Sequence, residues 1–122
     1  MIKVLVVDDN ETLREALAEA LDDRGMVVVG QAIDGEGACR AAVELEPDVV
    51  VMDIRMPGMS GPEATNWLAA NCPGVRVVGL TAYDDNALHH AMEGAGAATV
   101  LVKGASIKTI VNAIAEAGSV PG

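Results

Sequence analysis

Aspartate residues follow two Val-rich runs of this sequence. A charged residue at the end of a buried strand is not explained by the packing of that strand. Asp8 and Asp9 follow the run VLVV, and Asp53 follows the run VVVM. Three carboxylates held close together repel one another. A divalent cation such as Mg²⁺ relieves that repulsion, because it prefers carboxylate, carbonyl and water oxygens as ligands. A carboxylate can also attack a phosphoryl group and carry it as an acyl phosphate.

Two further polar residues follow apolar runs later in the chain. Thr81 comes after VRVVGL, and Lys103 comes after TVLV. A lysine holds a phosphoryl oxygen by its charge, and a threonine hydroxyl donates a hydrogen bond to another. In isolation, Thr81 is an ordinary strand residue, Lys103 an ordinary surface lysine, and Asp8 and Asp9 are acids near the positive end of a helix. A shared position at one edge of a sheet would make the set a site.

Five short apolar runs predict five β-strands, at residues 3–7, 26–32, 48–52, 75–80 and 99–102. Four of them are rich in Val without polar alternation, which is typical of parallel strands covered on both faces. The run at 26–32 alternates less clearly, and we expect it at an edge of the sheet. A segment with helical spacing follows each run, so strand and helix alternate five times.

This order predicts an α/β fold, namely a flavodoxin-like (βα)5 single domain. Its doubly wound, five-stranded parallel sheet has the strand order 2-1-3-4-5. The ligand crevice of such a fold lies past the carboxyl ends of strands 1 and 3. The carboxylates of Asp8, Asp9 and Asp53 then converge in the crevice. With the backbone carbonyl of Arg55, they form a predicted site for Mg²⁺ or Mn²⁺.

Composition excludes several classes of function. The 122 residues suit one compact domain, and 18 acidic against 8 basic residues give a net charge of −10. Such a surface repels nucleic-acid phosphate, so we expect this domain itself to bind no nucleic acid. No apolar run approaches the roughly 20 residues of a membrane span, and acidic residues come too early for a signal peptide. We therefore expect a cytoplasmic protein with no membrane contact.

Three other uses of the crevice are less favoured. A dinucleotide site needs glycines after strand 1, but the turn VVDDNET has none and carries two negative charges. A flavin carrier needs aromatic side chains, and the chain has one Trp, one Tyr and no Phe. An aspartyl-nucleophile phosphatase typically has a second Asp just after the nucleophile, where this chain has Arg55. We therefore expect no enzyme beyond a protein that catalyses its own phosphorylation and dephosphorylation.

Four motifs resemble a known family over essentially the whole chain. VLVVDDNETLREAL, DVVVMDIRMPGMSG, LTAYDD and VLVKGAS are similar to the receiver domain of bacterial two-component response regulators. The resemblance implies that Asp53 is the phosphoacceptor, Thr81 the switch hydroxyl and Lys103 the phosphate contact. It also implies that Mg²⁺ is held by the acidic set given above. The expected partner is a sensor histidine kinase.

Two positions depart from the commonest receiver pattern. Gly104 follows Lys103 where many receivers have Pro, and this KGAS variant resembles the NarL/FixJ-type subfamily, whose receivers usually precede a helix-turn-helix domain. Val100 stands where the family commonly has an aromatic residue that moves inward on activation. Tyr83 is the nearby candidate for that role, and an ordinary exposed tyrosine is the alternative interpretation.

The resemblance implies a phosphorylation-dependent switch. Phosphorylation of Asp53 is expected to change the surface formed by helix 4, strand 5 and helix 5, around residues 84–117, and so to control dimerisation or an output domain. We expect residues 1–117 to form the receiver domain and 118–122 to begin a linker or mark an artificial chain end. The expected output is transcription regulation through a DNA-binding domain that these residues lack. A stand-alone receiver acting on a protein partner and a phosphate-blind binding module are the alternatives.

Overall fold

The structure is a computed structural model that describes residues 1–82 and 86–119. Five strands alternate with five helices along the chain. The strands are β1 (Lys3–Val7), β2 (Val27–Ala32), β3 (Val49–Asp53), β4 (Arg76–Thr81) and β5 (Thr99–Val102). The helices are α1 (Glu11–Asp23), α2 (Gly35–Leu45), α3 (Gly61–Asn71), α4 (Asn86–Ala95) and α5 (Ile107–Ser119).

The strands form one parallel sheet in the order β2-β1-β3-β4-β5. This confirms the flavodoxin-like (βα)5 fold and the edge position of β2. The central strand β3 is buried along its whole length, whereas the edge strands β2 and β5 are mostly half-buried. Helices on both faces explain why the central strands are Val-rich without polar alternation.

Side chains of the central strands alternate between two cores. In β1, Leu5 and Val7 pack in the core under α2, α3 and α4, whereas Val4 and Val6 pack in the core under α1 and α5. Strand β3 divides its residues in the same way. Strands β1 and β3 therefore contribute side chains to both cores.

The helix starts also agree with the local sequence signals. Asn10 caps α1, since its side chain accepts a hydrogen bond from the Leu13 N–H at 3.1 Å. Ser60 and Glu63 form a capping box at the start of α3. These caps fix where the loops after β1 and β3 enter their helices.

The last helix continues past the predicted end of the receiver domain at residue 117. Helix α5 includes Gly118 and Ser119, and the end of the receiver domain at residue 117 stays a prediction. A β-carbon on Gly118 would lie 3.2 Å from Ile2 and 3.3 Å from Val49, so the helix backbone packs closely against the sheet here. Residues 120–122 lie outside the described residues, and their assignment to a linker stays a prediction.

Among the described residues, the helices are all too short or too polar to cross a bilayer.

Candidate functional site

Three carboxylates meet at the carboxyl edge of the sheet, at the ends of the neighbouring strands β1 and β3. Asp8 directly follows β1, and Asp53 is the last residue of β3. One oxygen each from Asp8, Asp9 and Asp53 lies within 4.8 Å of the others. Asp8 and Asp53 are buried, and Asp9 is exposed. The fold therefore brings together the carboxylates that the sequence placed at separate strand ends.

Lys103 joins two of these carboxylates. Its Nζ lies 3.1 Å from Oδ2 of Asp8 and 3.0 Å from Oδ2 of Asp53. The backbone positions it, because the Lys103 N–H donates to the Thr81 carbonyl at 2.6 Å and so extends the pairing of β4 with β5. A lysine that follows an edge strand thus reaches the centre of the sheet edge.

Thr81 lies at the same edge of the sheet. It is the last residue of β4 and is fully buried. Asp53 pairs with Leu80 in the ladder between β3 and β4, so Thr81 lies one residue beyond the partner of Asp53. The structure therefore places it beside the acidic cluster, and its role as the switch hydroxyl stays a prediction.

Burial and charge oppose each other at Asp53 and Lys103. Burial raises the pKa of Asp53, and the charge of Asp8 adds to this, while the hydrogen bond and charge of Lys103 act against it; the net direction is upward. Burial acts to lower the pKa of Lys103, but the hydrogen bonds and charges of Asp53 and Asp8 outweigh it, so this pKa also lies above its usual value. The site therefore stabilises added positive charge.

The loop after β3 presents its backbone to the site. The Arg55 N–H donates to Oδ1 of Asp53 at 3.2 Å, and the Ile54 N–H donates to the Leu80 carbonyl at 3.0 Å. The loop returns tightly, since a β-carbon on Gly61 would lie 2.8 Å from the Ile54 Cα. Arg55 thus adjoins the acidic cluster, and the ligand role of its carbonyl stays a prediction.

The donor set suits a hard divalent cation. Three carboxylates close together match the oxygen ligands that Mg²⁺ and Mn²⁺ prefer. Lys103 forms ion pairs with Asp8 and Asp53, and a bound cation would reduce the remaining repulsion among the three carboxylates. The residues present therefore fit the predicted metal.

Val100 occupies the position where receivers commonly have an aromatic residue that moves inward. Val100 is half-buried and packs against the core under α4, and Gly104 has open space around its Cα. Tyr83, the predicted substitute, lies outside the described residues.

The sequence reasoning missed Arg14. Its Nη1 donates to the backbone carbonyl of Asp8 at 3.0 Å, and its Nε donates to Oε1 of Gln31 at 2.9 Å. The available signal was its position one helical turn after the Asn10 cap, on a helix that begins at the acidic loop.

A family model and the most similar relatives all point to the same protein family. Residues 4–115 match the response regulator receiver domain. The response regulator GacA of Pseudomonas aeruginosa is 44% identical over 115 residues, covering 93% of this chain and 54% of GacA. The transcriptional regulatory protein LnrK of Bacillus subtilis is 42% identical over 115 residues, covering 93% of this chain and 52% of LnrK. This chain thus spans about half the length of the curated relatives it matches.

The fold is also similar to solved structures. The signal receiver domain of NarL from Mycobacterium tuberculosis superposes with a TM-score of 0.92 at 33% identity, covering 96% of this chain and 95% of that one.

Proposed function

This chain belongs to the response regulator receiver domain family, and from this premise we propose that it accepts a phosphoryl group on Asp53 from a sensor histidine kinase. Receiver domains generally bind Mg²⁺ in an acidic pocket, and the proposed reaction depends on Mg²⁺ or Mn²⁺ held by Asp8, Asp9, Asp53 and the Arg55 carbonyl. The observation that carries the proposal is the buried Asp53 carboxylate, 3.0 Å from the Lys103 ammonium and within 4.8 Å of two further carboxylates.

In the proposed reaction, an Asp53 oxygen attacks the phosphorus of a phosphohistidine. The new O–P bond forms as the P–N bond breaks, and the leaving imidazole keeps the electron pair and takes up a proton. A bound divalent cation neutralises charge on the phosphoryl oxygens. Lys103 already contacts Asp53, so a small movement of its ammonium brings it to a phosphoryl oxygen, where it stabilises the product.

The same groups connect the site to a surface. The Thr81 hydroxyl is proposed to donate to the phosphoryl group, and the Lys103 N–H bonds to the Thr81 carbonyl, so the ends of β4 and β5 move together. Helices α4 and α5 follow these two strand ends. The surface of α4, β5 and α5 then changes its affinity for a second copy of the chain or for an output domain.

The proposed output is control of transcription in the cytoplasm. This chain covers about half of each relative, and LnrK is named a transcriptional regulatory protein. A DNA-binding domain in the remainder of a longer protein fits the KGAS motif that follows β5. The net charge of −10 favours that division of labour, because this domain would repel DNA. We propose no turnover of external substrates.

The proposal is tested by incubating the protein with Mg²⁺ and acetyl phosphate and measuring the intact mass. We expect one phosphoryl adduct on the native chain, and no adduct on Asp53→Asn or in EDTA. Asp23→Asn is a matched control, because Asp23 is an exposed residue of α1. An adduct that survives Asp53→Asn would contradict the proposal. If no adduct accumulates, a stable complex with beryllofluoride separates rapid hydrolysis from a protein that does not bind phosphoryl groups.

A further inference from the structure

The three carboxylates of the acidic cluster are held in different ways. Asp8 forms an ion pair with Lys103 and accepts a hydrogen bond from the Asn10 N–H at 2.8 Å. Asp53 accepts hydrogen bonds from Lys103 and from the Arg55 N–H. Within residues 1–82 and 86–119, the Asp9 carboxylate has neither a hydrogen bond nor an ion pair. It is also exposed and lies beside two like charges that repel it.

The backbone in front of Asp9 is fixed by an arginine. The ladder between β1 and β2 ends at Val7 and Ala32, and the Asp8 N–H still donates to the Ala32 carbonyl at 3.1 Å. The Asp8 carbonyl accepts from Nη1 of Arg14 instead, while Nε of the same guanidinium donates to Gln31 on β2. The planar guanidinium therefore adds one more link between β1 and β2 beyond the end of the ladder.

Arg14 is itself held in place by the start of α1. Its N–H donates to the Asn10 carbonyl at 2.9 Å, and Asn10 caps the helix. The Asp8 carbonyl belongs to the peptide unit that joins Asp8 to Asp9. A hydrogen bond to that carbonyl restricts rotation of the planar peptide unit that leads into Asp9, and so limits the positions open to its side chain.

We propose that Arg14 is a positioning residue, which holds Asp9 in the acidic cluster before a cation binds. The inference rests on the proposed function, since it concerns the same Mg²⁺ site. Partners that orient metal ligands typically change metal affinity by about 10- to 100-fold when they are removed. The charge of Arg14 acts in the opposite direction, because removing a cation near an acidic site strengthens Mg²⁺ binding. The sign of the effect therefore separates positioning from simple charge.

The test compares Mg²⁺ dissociation constants, measured by calorimetry, for the native chain and three variants. Arg14→Met is expected to bind Mg²⁺ about 10-fold more weakly. Gln31→Ala is expected to bind a few-fold more weakly, because Arg14 then keeps its charge and loses one of its two anchors. Arg40→Met is the matched control and is expected to bind as the native chain does, since Arg40 is exposed on α2.

A second readout needs neither Mg²⁺ nor phosphate. In EDTA, ¹⁵N relaxation of Asp9 and Asn10 is expected to show lower order parameters in Arg14→Met and Gln31→Ala than in Arg40→Met. If Arg14→Met fails to fold, Gln31→Ala carries the test, because Gln31 is exposed and leaves α1 intact.

Two outcomes would overturn the inference. One is Mg²⁺ binding by Arg14→Met that is as tight as, or tighter than, that of the native chain. The other is unchanged mobility of Asp9 and Asn10 in both test variants. Failure of the native chain to bind Mg²⁺ would instead contradict the proposed function, and the relaxation data in EDTA would still report on Arg14.

Discussion

The centre of the sheet and its β5 edge differ sharply in burial. All five residues of β3 are buried, whereas β5 has no fully buried residue and Val102 is 39% exposed. The covering helices follow the same trend: α2 buries four residues and α4 buries only Met92. Asp53, the candidate phosphoacceptor, thus lies at the end of the most deeply buried of these strands. The surface proposed to respond lies where local movement costs less.

This comparison predicts that a Leu→Ala substitution lowers the free energy of unfolding more inside the sheet, as in β1, than at its β5 edge. Leu5→Ala in β1 removes a fully buried side chain and is expected to lower the free energy of unfolding by about 2–5 kcal/mol. Leu101→Ala in β5 removes a half-buried side chain and is expected to cost about 1 kcal/mol. Urea denaturation measures both. Equal losses would show that the edge is as tightly packed as the centre.

Lys103 connects the two regions, so its removal affects the centre from the edge. In EDTA, Lys103→Met leaves Asp8 and Asp53 close together without their counter-ion. We expect a loss of roughly 2 kcal/mol, below the value for a fully buried pair because Lys103 is partly exposed. Mg²⁺ is expected to raise the Tm of this variant more than that of the native chain, because the cation replaces the missing charge.

Lys108→Met on α5 is the matched control for that experiment, since Lys108 is exposed. We expect its Tm to follow that of the native chain with and without Mg²⁺. An equal Mg²⁺ effect on all three proteins would mean that Lys103 does not share the charge balance of the acidic cluster.

The smallest expected effect on stability comes from the buried negative charge of Asp53. The pKa of Asp53 is raised in the folded chain, first by burial, so its ionised form destabilises the fold above that pKa and the penalty is relieved as the pH falls through it. In EDTA at neutral pH, Asp53→Asn is therefore expected to raise the Tm slightly.

The difference in Tm between Asp53→Asn and the native chain is expected to shrink as the pH is lowered towards the ordinary range of an aspartate. Saturating Mg²⁺ is expected to reverse the order, because the native chain has one more carboxylate ligand. A variant that is less stable than the native chain in EDTA at neutral pH would show that the Lys103 contact outweighs the burial of Asp53.

Local patterns predicted much of the fold because they act over short distances. Val-rich runs that alternate with helical segments predicted five parallel strands, and the absence of polar alternation predicted cover on both faces. Caps such as Asn10 and Ser60 could be predicted because a cap involves residues three positions apart. Helix α5 extends to Ser119, and the packing of Gly118 against Ile2 and Val49 is a tertiary contact that no local pattern predicts.

The sequence by itself determined which side chains stand at the carboxyl ends of the strands, since strand ends are set by local hydrophobicity. The tertiary structure alone decided what those side chains contact. Lys103 is 50 residues from Asp53, and Arg14 is 17 residues from Gln31, so both contacts depend on strand register and helix docking. No local pattern predicts these contacts, because they depend on how the helices pack against the two faces of the sheet. The residue types therefore predicted which chemical groups form the site, and tertiary packing determined how those groups are arranged.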